Sequence, residues 1–467
     1  MEQKLWNGGI LPCLFNRKTL LGAMVAGILL NPAHLSAKVS EEESAKLGTS
    51  LTPVGAIKAG NKAGTIPEWT GGIQTAPEGY EKGKLHVDPF GSDKARFTIT
   101  AENMGEHADK LTAGQKAMFD RYKDSFKMIV YPTRRSASYP EYVYKASKEN
   151  ALSAELTSNG NGIKDAKVTS PFPIPQTGLE VLWNHTLRWR GGQLQREVGQ
   201  AAPTGSGSYV MTRIEETIFL PYNQEGATIE SVENRLAFFL QTVKAPARLA
   251  GAILLVHETL DQNKEPRLAW TYNPGQRRVR RAPNIAFDYP GTASDNQRTT
   301  DQYDMFNGSP ERYDWKLVGK KEMYVPYNAF KIHAEGVDSN ELLQTGHINQ
   351  DYSRYELHRV WVVEGTIKEG TSHIYAKRTF YVDEDTWTIL AADQYDGRGN
   401  IWRVSENHTI NYYEVPATFD TLITHYDVLN GRYLAYGFNN SGPVDNFNID
   451  VSKSDFTPQR LRRKGRR

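Results

Sequence analysis

Past Gly191 the apolar residues recur with a period of two, and that spacing limits what the chain can fold into. In YVMTRIEETIFL, Tyr209 to Leu220, the side chains of Val210, Ile214, Ile218 and Leu220 fall on one side while Arg213 and Glu215 fall on the other. Successive side chains of an extended strand point to opposite faces, so this segment reads as a strand with one buried face. Similar runs follow at 236–243, 247–256, 268–272, 357–365, 373–382, 386–395 and 401–404. Between them stand turn formers: Asn273-Pro274-Gly275, Asp383-Glu384-Asp385 and Asp396-Gly397-Arg398-Gly399. Strands joined by tight turns build an antiparallel meander rather than alternating βαβ units. The stretch DQYDGRG, Asp393 to Gly399, belongs to such a turn, because it lacks the spaced oxygen ligands and final glutamate of a calcium loop.

Helical signals are fewer. Thr112 with Gln115 and Thr177 with Glu180 each have the spacing of a capping box, and apolar positions follow both. They open a helix over 112–126 and a short one carrying Leu179, Leu182 and Trp183. Ser40 with Glu43 starts another short helix. Gly, Pro and Thr then dominate as far as about residue 91, as expected for an arm lying over the body. The last eight residues, RLRRKGRR, carry six basic side chains and are expected to form a disordered tail.

The N-terminus points to export. Asn16-Arg17-Lys18 leads into LLGAMVAGILL, too short to span a bilayer, and Leu35-Ser36-Ala37 supplies small residues of the kind signal peptidase cuts. We therefore expect a secretory signal over 1–37, an arm with loops over 38–110, a β domain with inserted helices over 111–455 and the basic tail over 456–467. The single cysteine, Cys13, lies in the signal, so the exported chain has neither disulfides nor thiol chemistry. Removing 1–37 takes Glu2, Lys4, Arg17 and Lys18 with it and leaves 53 basic and 53 acidic residues. That balance argues against a nucleic-acid binder. A soluble periplasmic protein is the expectation.

Catalytic motifs are missing from the linear sequence. Outside the signal no two histidines lie closer than eleven residues, so no local metal-binding pair exists. Gly205-Ser206-Gly207-Ser208 lacks the spacing of a nucleophile elbow and leads into a strand. No phosphate-binding glycine loop occurs. We expect no metal, no cofactor and no catalytic residue from local motifs; a site assembled from distant residues stays open. Aromatic residues are plentiful. At strand positions they usually form core, and otherwise they line a groove for an apolar ligand. The candidate ligand residues are Trp183, Trp189, Trp270, Tyr272, Arg278, Arg280 and Trp315. The two arginines belong to a returning strand after Asn273-Pro274-Gly275, on which Arg278 and Arg280 share one face and Arg277, Val279 and Arg281 the other. The expected role of these arginines is pairing with carboxylates on neighbouring strands; the alternative is that one pair receives an anionic head group at a cavity mouth.

Four stretches together carry a resemblance: LTPVGAIKAGNKAGTIPEWTGG, PFPIPQTGLEVLWNH, YNPGQRRVRRAPNIAFDYP and DMFNGSPERYDWKLVGKKEMYVPYNAF. Through them nearly the whole exported chain resembles the secreted Gram-negative domain-of-unknown-function family 1329. That family is similar to an enlarged lipoprotein carrier. The resemblance implies an α+β fold: a large curved antiparallel sheet, an incomplete barrel, with helices over its concave side and an N-terminal arm. It also implies binding or transfer of a lipid-like or other hydrophobic molecule, alongside a resistance-nodulation-type exporter and an outer-membrane protein. Two rival expectations are a hydrolase with a non-local site and an interaction protein that touches the membrane peripherally through the basic tail.

Overall fold

The computed structural model describes residues 39–282 and 287–465. The secretory-signal reading of residues 1–37 lies outside them. In chain order the described elements begin with α1 (Glu41–Ser44), β1 (Phe97–Ile99), α2 (Ala113–Arg121), β2 (Met128–Val130) and α3 (Glu141–Ser153). A small hairpin, β3 (Glu155–Leu156) and β4 (Ile163–Lys164), precedes α4 (Gly178–Leu187). Then come β5 (Gln193–Ala201), β6 (Thr212–Phe219), β7 (Arg235–Ala245), β8 (Ile253–Thr259), β9 (Leu268–Asn273), β10 (Arg278–Arg281) and β11 (Tyr313–Pro326). Two one-turn helices, α5 (Phe330–His333) and α6 (Ser339–Leu342), lead to β12 (Tyr355–Ile367) and β13 (Lys377–Asp383). The chain finishes with β14 (Ile389–Tyr395), β15 (Ile401–Tyr412), β16 (Ala417–Asp427), β17 (Tyr433–Phe438) and α7 (Pro458–Lys464).

Fifteen of the described strands join in one sheet, in the order β1-β2-β12-β13-β14-β15-β16-β17-β5-β6-β7-β8-β9-β10, with β11 also pairing β12. Every pairing is antiparallel except β2 with β12, which meet in parallel at Val130 and Tyr355. The sheet is open, with β1 at one edge and β10 at the other. This is the large antiparallel sheet the sequence called for. Both capping boxes form as expected, Thr112 with Gln115 and Thr177 with Glu180. Their helices cover opposite faces. Gly114 of α2 donates its N–H to Asp393 (3.0 Å), whereas Val181 and Leu182 of α4 pack in one cluster with Ala392. Consecutive residues of a strand point to opposite sides.

Several strands differ from their expected bounds for identifiable reasons. Pro246 has no N–H to give a ladder, and its carbonyl accepts from Leu249 and Ala250, so 246–252 is a turn and β8 begins at Ile253. Asp383 captures the Thr386 N–H (3.0 Å) and hydroxyl (2.7 Å), which delays β14 until Ile389. That turn is buried under the arm. Trp387 donates its indole N–H to the Val54 carbonyl (3.0 Å), Ile57 N–H reaches Glu384 (3.2 Å), and Arg135 holds Asp385 through two bonds of 2.9 and 2.6 Å.

The basic C-terminus corrects the expectation of a disordered tail. Residues 458–464 form α7, capped by Thr457 and started by Pro458. Phe456 and Leu461 are buried and pack with Phe238, Ile253, Leu255 and Tyr272 on one face of β7–β9. Its arginines point out because the apolar residues point in. Among the described residues no helix is long and apolar enough to cross a membrane.

Candidate functional site: an apolar cavity with an arginine lining

The face of β7–β9 opposite α7 is covered differently. Phe238, Leu240, Ile253 and Leu255 point to the α7 side, so their neighbours Phe239, Gln241, Leu254 and Val256 point away. The segment from Tyr289 to Asn307 runs over this second face and encloses a cavity of about 830 Å³. That lies within the ~300–1,000 Å³ range of small-molecule pockets. Leu194, Ile218, Phe239, Leu254, Val256 and Phe306 supply much of an apolar lining.

One cross-strand row explains the polar groups near it. Arg196, Glu216, Gln241, Leu254, Thr271 and Arg280 are successive partners across β5 to β10. At the inner end Arg196 Nε donates to Glu216 (2.9 Å) and its Nη1 to Asp420 (2.9 Å). Glu216 also accepts from the Tyr436 hydroxyl (2.6 Å) and from Gln241 (3.1 Å). Burial works against the charge on Arg196, but Asp420, Tyr436 and Glu216 outweigh it and hold the guanidinium pKa well above its usual value. At the outer end, on the edge strand, Arg280 and Arg281 are exposed and border the cavity, Arg280 on the cavity face and Arg281, opposite Trp270, on the other.

Five arginines line the cavity, Arg190, Arg267, Arg280, Arg281 and Arg298, against two carboxylates, Glu258 and Asp304. Asp304 is shared by Arg190 and Arg188, the latter at 2.5 Å. Burial would raise its pKa, and these two cations instead hold it well below the usual carboxylate range. Arg267 meets Glu258 at 2.6 Å, yet burial still leaves the Glu258 pKa raised.

Of the seven residues singled out from the sequence, Arg280 comes to this cavity on its own face of the sheet, and Tyr272 borders it while its ring packs on the α7 face with Phe456 and Leu461. The other five lie elsewhere. Trp183, Trp189 and Trp315 are packing residues whose indole N–H groups are satisfied by the carbonyls of Gly160 (3.0 Å), Asn223 (3.2 Å) and Pro310 (2.8 Å). Trp270 sits on the α7 face, edge-on to His257 at 4.9 Å between ring centroids. Arg278 is exposed beside Asn273, outside the cavity. The alternation of faces in the arginine strand is as expected, with Arg280 opposite Thr271 and Val279 opposite Tyr272. The expected carboxylate pairing is not found: among the described residues none of Arg277, Arg278, Arg280 and Arg281 holds an ion pair. The edge strand has a neighbour on one side alone, and that neighbour offers Thr271 and Asn273 rather than acids.

Arg196, Glu216, Asp420 and Arg298 were missed, and no local signal marks them. They come together because distant strands do.

Distant histidines do find carboxylates: His86 with Glu414 (2.7 Å), His358 with Glu356 (3.0 Å) and His373 with Asp301 (3.2 Å). None of these histidines lines the apolar cavity. His358, Asp383 and Asp385 could each offer one atom to a cation within 4.8 Å of the others. Arg135 already takes both Asp385 oxygens, and His358 Nε2 is bonded to Glu356. A second hollow, of about 1190 Å³, lies under the arm and is walled by charged groups including Asp88, Asp93, Lys331 and Arg354.

A family profile described as "Protein of unknown function (DUF1329)" matches residues 98–462. An uncharacterized protein of Pseudomonas aeruginosa, PA3922, is 50% identical over 449 residues, covering 96% of this chain and 99% of that one. Among solved structures, a DUF1329 family protein from Desulfovibrio piger is 16% identical, with a TM-score of 0.41, over 58% of this chain and 91% of its own. The LolA superfamily protein NE2245 from Nitrosomonas europaea is 14% identical, with a TM-score of 0.37, over 61% of this chain and 99% of its own. Both scores fall below the level at which a shared fold follows.

Proposed function

Since the chain belongs to the DUF1329 family, described as proteins of unknown function, we propose its role from the cavity itself: it binds and carries a lipid-like or other hydrophobic molecule. The observation that supports this is the apolar hollow of about 830 Å³ between β6–β10 and the 289–307 segment. Each methylene moved from water into such a space contributes about 0.8 kcal/mol, so an acyl chain is held without a dense set of polar contacts. A hydrolase would need a nucleophile and a free base at the ligand, and the two carboxylates among the described lining residues, Glu258 and Asp304, are each held by an arginine. In this reading the protein works in the periplasm and passes its cargo to an exporter or an outer-membrane partner.

Leu254 provides the test, because it is only half-buried and faces the cavity. Leu254→Trp pushes a bulky ring into the space without cutting a hydrogen bond. We expect it to weaken binding of an apolar fluorescent probe by at least about tenfold, or ~1.4 kcal/mol, with the melting temperature nearly unchanged. Native mass spectrometry of protein purified from its own periplasm should in parallel find an apolar molecule on the wild type and less of it on the variant. Equal probe binding by both proteins, with no co-purified molecule, would remove the cavity from consideration.

A further inference from the structure

We infer that the ligand is a single-chain amphiphile with an anionic head, and that Arg298 receives that head. This deepens the carrier reading and rests on it. Eight arginines are buried among the described residues: Arg135, Arg188, Arg196, Arg298, Arg354, Arg359, Arg378 and Arg403. Seven of them hold a carboxylate within ion-pair distance. Arg298 is the exception. It is 5% exposed, it lines the cavity, and its Nε has no hydrogen-bond partner. Nor does its guanidinium make any other side-chain hydrogen bond or ion pair among the described residues.

A guanidinium taken out of water without a counter-ion is expensive, and folds normally avoid it. Tyr303 and Tyr436 lie 5.7 and 5.4 Å from its central carbon and offer their ring faces, which offsets part of the cost without neutralising the charge. The carboxylates at this end of the sheet are already engaged, since Glu216 and Asp420 both bind Arg196. Gly291 lets the covering segment lie close against the guanidinium, since an added Cβ there would come within 3.0 Å of Arg298 Nη2. A carboxylate or phosphate monoester suits this cavity-lining guanidinium, because its paired oxygens match the guanidinium fork.

The chain of such a ligand then runs along the apolar row from β5 toward β10. Ile218, Phe239 and Leu254 lie on that course. Arg280 and Arg281, exposed and without carboxylate partners at the outer end, draw anions toward the opening without fixing them. The two arginine groups therefore have separate duties, capture at the rim and retention inside.

The test uses the full chain and three ligands of equal length competing with a neutral apolar probe: hexadecanoate, hexadecyl phosphate and hexadecanol. At least one anion should displace the probe about tenfold more tightly than the alcohol, and whichever anion is stronger identifies the head-group source. Arg298→Gln should bring the anions to within about threefold of the alcohol and leave the alcohol itself unchanged. The double variant Arg280→Gln/Arg281→Gln should instead slow anion association and flatten its salt dependence. Without ligand, Arg298→Gln should melt at or above the wild-type temperature, since it removes an unpaired buried charge; a large drop would mean that the guanidinium is structural and would overturn the assignment. Equal affinity for all three ligands in the wild type also overturns it, while leaving the apolar cavity intact. Failure of every ligand, alcohol included, would defeat the carrier reading as well.

Discussion

Replacing Arg196 with methionine lowers the unfolding free energy by about 3–5 kcal/mol. The side chain is 2% exposed and joins Glu216, 0% exposed, to Asp420, 4% exposed. Its guanidinium also lies over the Phe419 ring at 4.9 Å, so methionine keeps much of the packing while the charge disappears. Two buried carboxylates are left with no cation to balance them. Burial already raises the Asp420 pKa, and Arg196 is the group that opposes this most. Without Arg196 only protonation can neutralise the pair. The folded variant then holds protons that the unfolded chain releases above about pH 4, so its stability falls as pH rises. Guanidinium unfolding at pH 5 and pH 8 measures both effects: the loss should be larger at pH 8. A loss below about 1 kcal/mol, or one equal at the two pH values, would show that the pair does not depend on Arg196. Replacing all three residues together with apolar ones of similar volume should restore most of the stability, because desolvation of the ions is removed along with their attraction.

What could be read from the sequence was local. A capping box needs four residues, and Thr112 with Gln115 formed as written. The hairpin at Asn273-Pro274-Gly275 and the alternating faces of its arginines were equally legible, because a turn and a strand of period two involve nearest neighbours. Other strands gave no signal for a physical reason. β16 is buried along its whole length, and β17 likewise, so no wet face exists to set up an alternation. β15 buries Ser405, Glu406, Asn407, His408 and Thr409 in succession, a run that reads as loop until its hydrogen-bond partners are known. The cavity was legible only in outline. Arg280 was found because it follows the turn, whereas Tyr272, chosen as an aromatic, borders the cavity with its ring turned to α7. Arg298 stands in a segment without periodicity, and its meaning lies in the carboxylate that none of the described residues brings to it.

The same covering that hides the strands from sequence reading makes Glu406 a sensor of pH, and Glu406→Gln should reveal it. Glu406 lies under α2, where it accepts from Gln115 (3.2 Å) and from the Tyr355 hydroxyl (2.9 Å) and meets no cation among the described residues. Burial pushes its pKa up to about 7; those two hydrogen bonds pull the other way without prevailing, and Asp393 adds to the rise. Between the unfolded value near pH 4.5 and the folded value near pH 7, the folded protein holds a proton here that the unfolded chain has lost. Unfolding then releases a proton, so this group's contribution is full below pH 4.5 and is lost as pH rises to about 7. Over that window the loss amounts to about 3 kcal/mol. Glutamine has the same shape, still accepts from Tyr355, and carries no charge at any pH. The variant should match the wild type near pH 4.5 and exceed it by about 3 kcal/mol near pH 7.5. The difference between the two proteins is the quantity to measure, because His185, His333 and His408, each lowered to about 3 by burial, give both proteins a common opposing slope. A difference that stays flat from pH 4.5 to 7.5 would mean that Glu406 is ionised in the folded protein. A cation or water network would then have to reach it beneath α2.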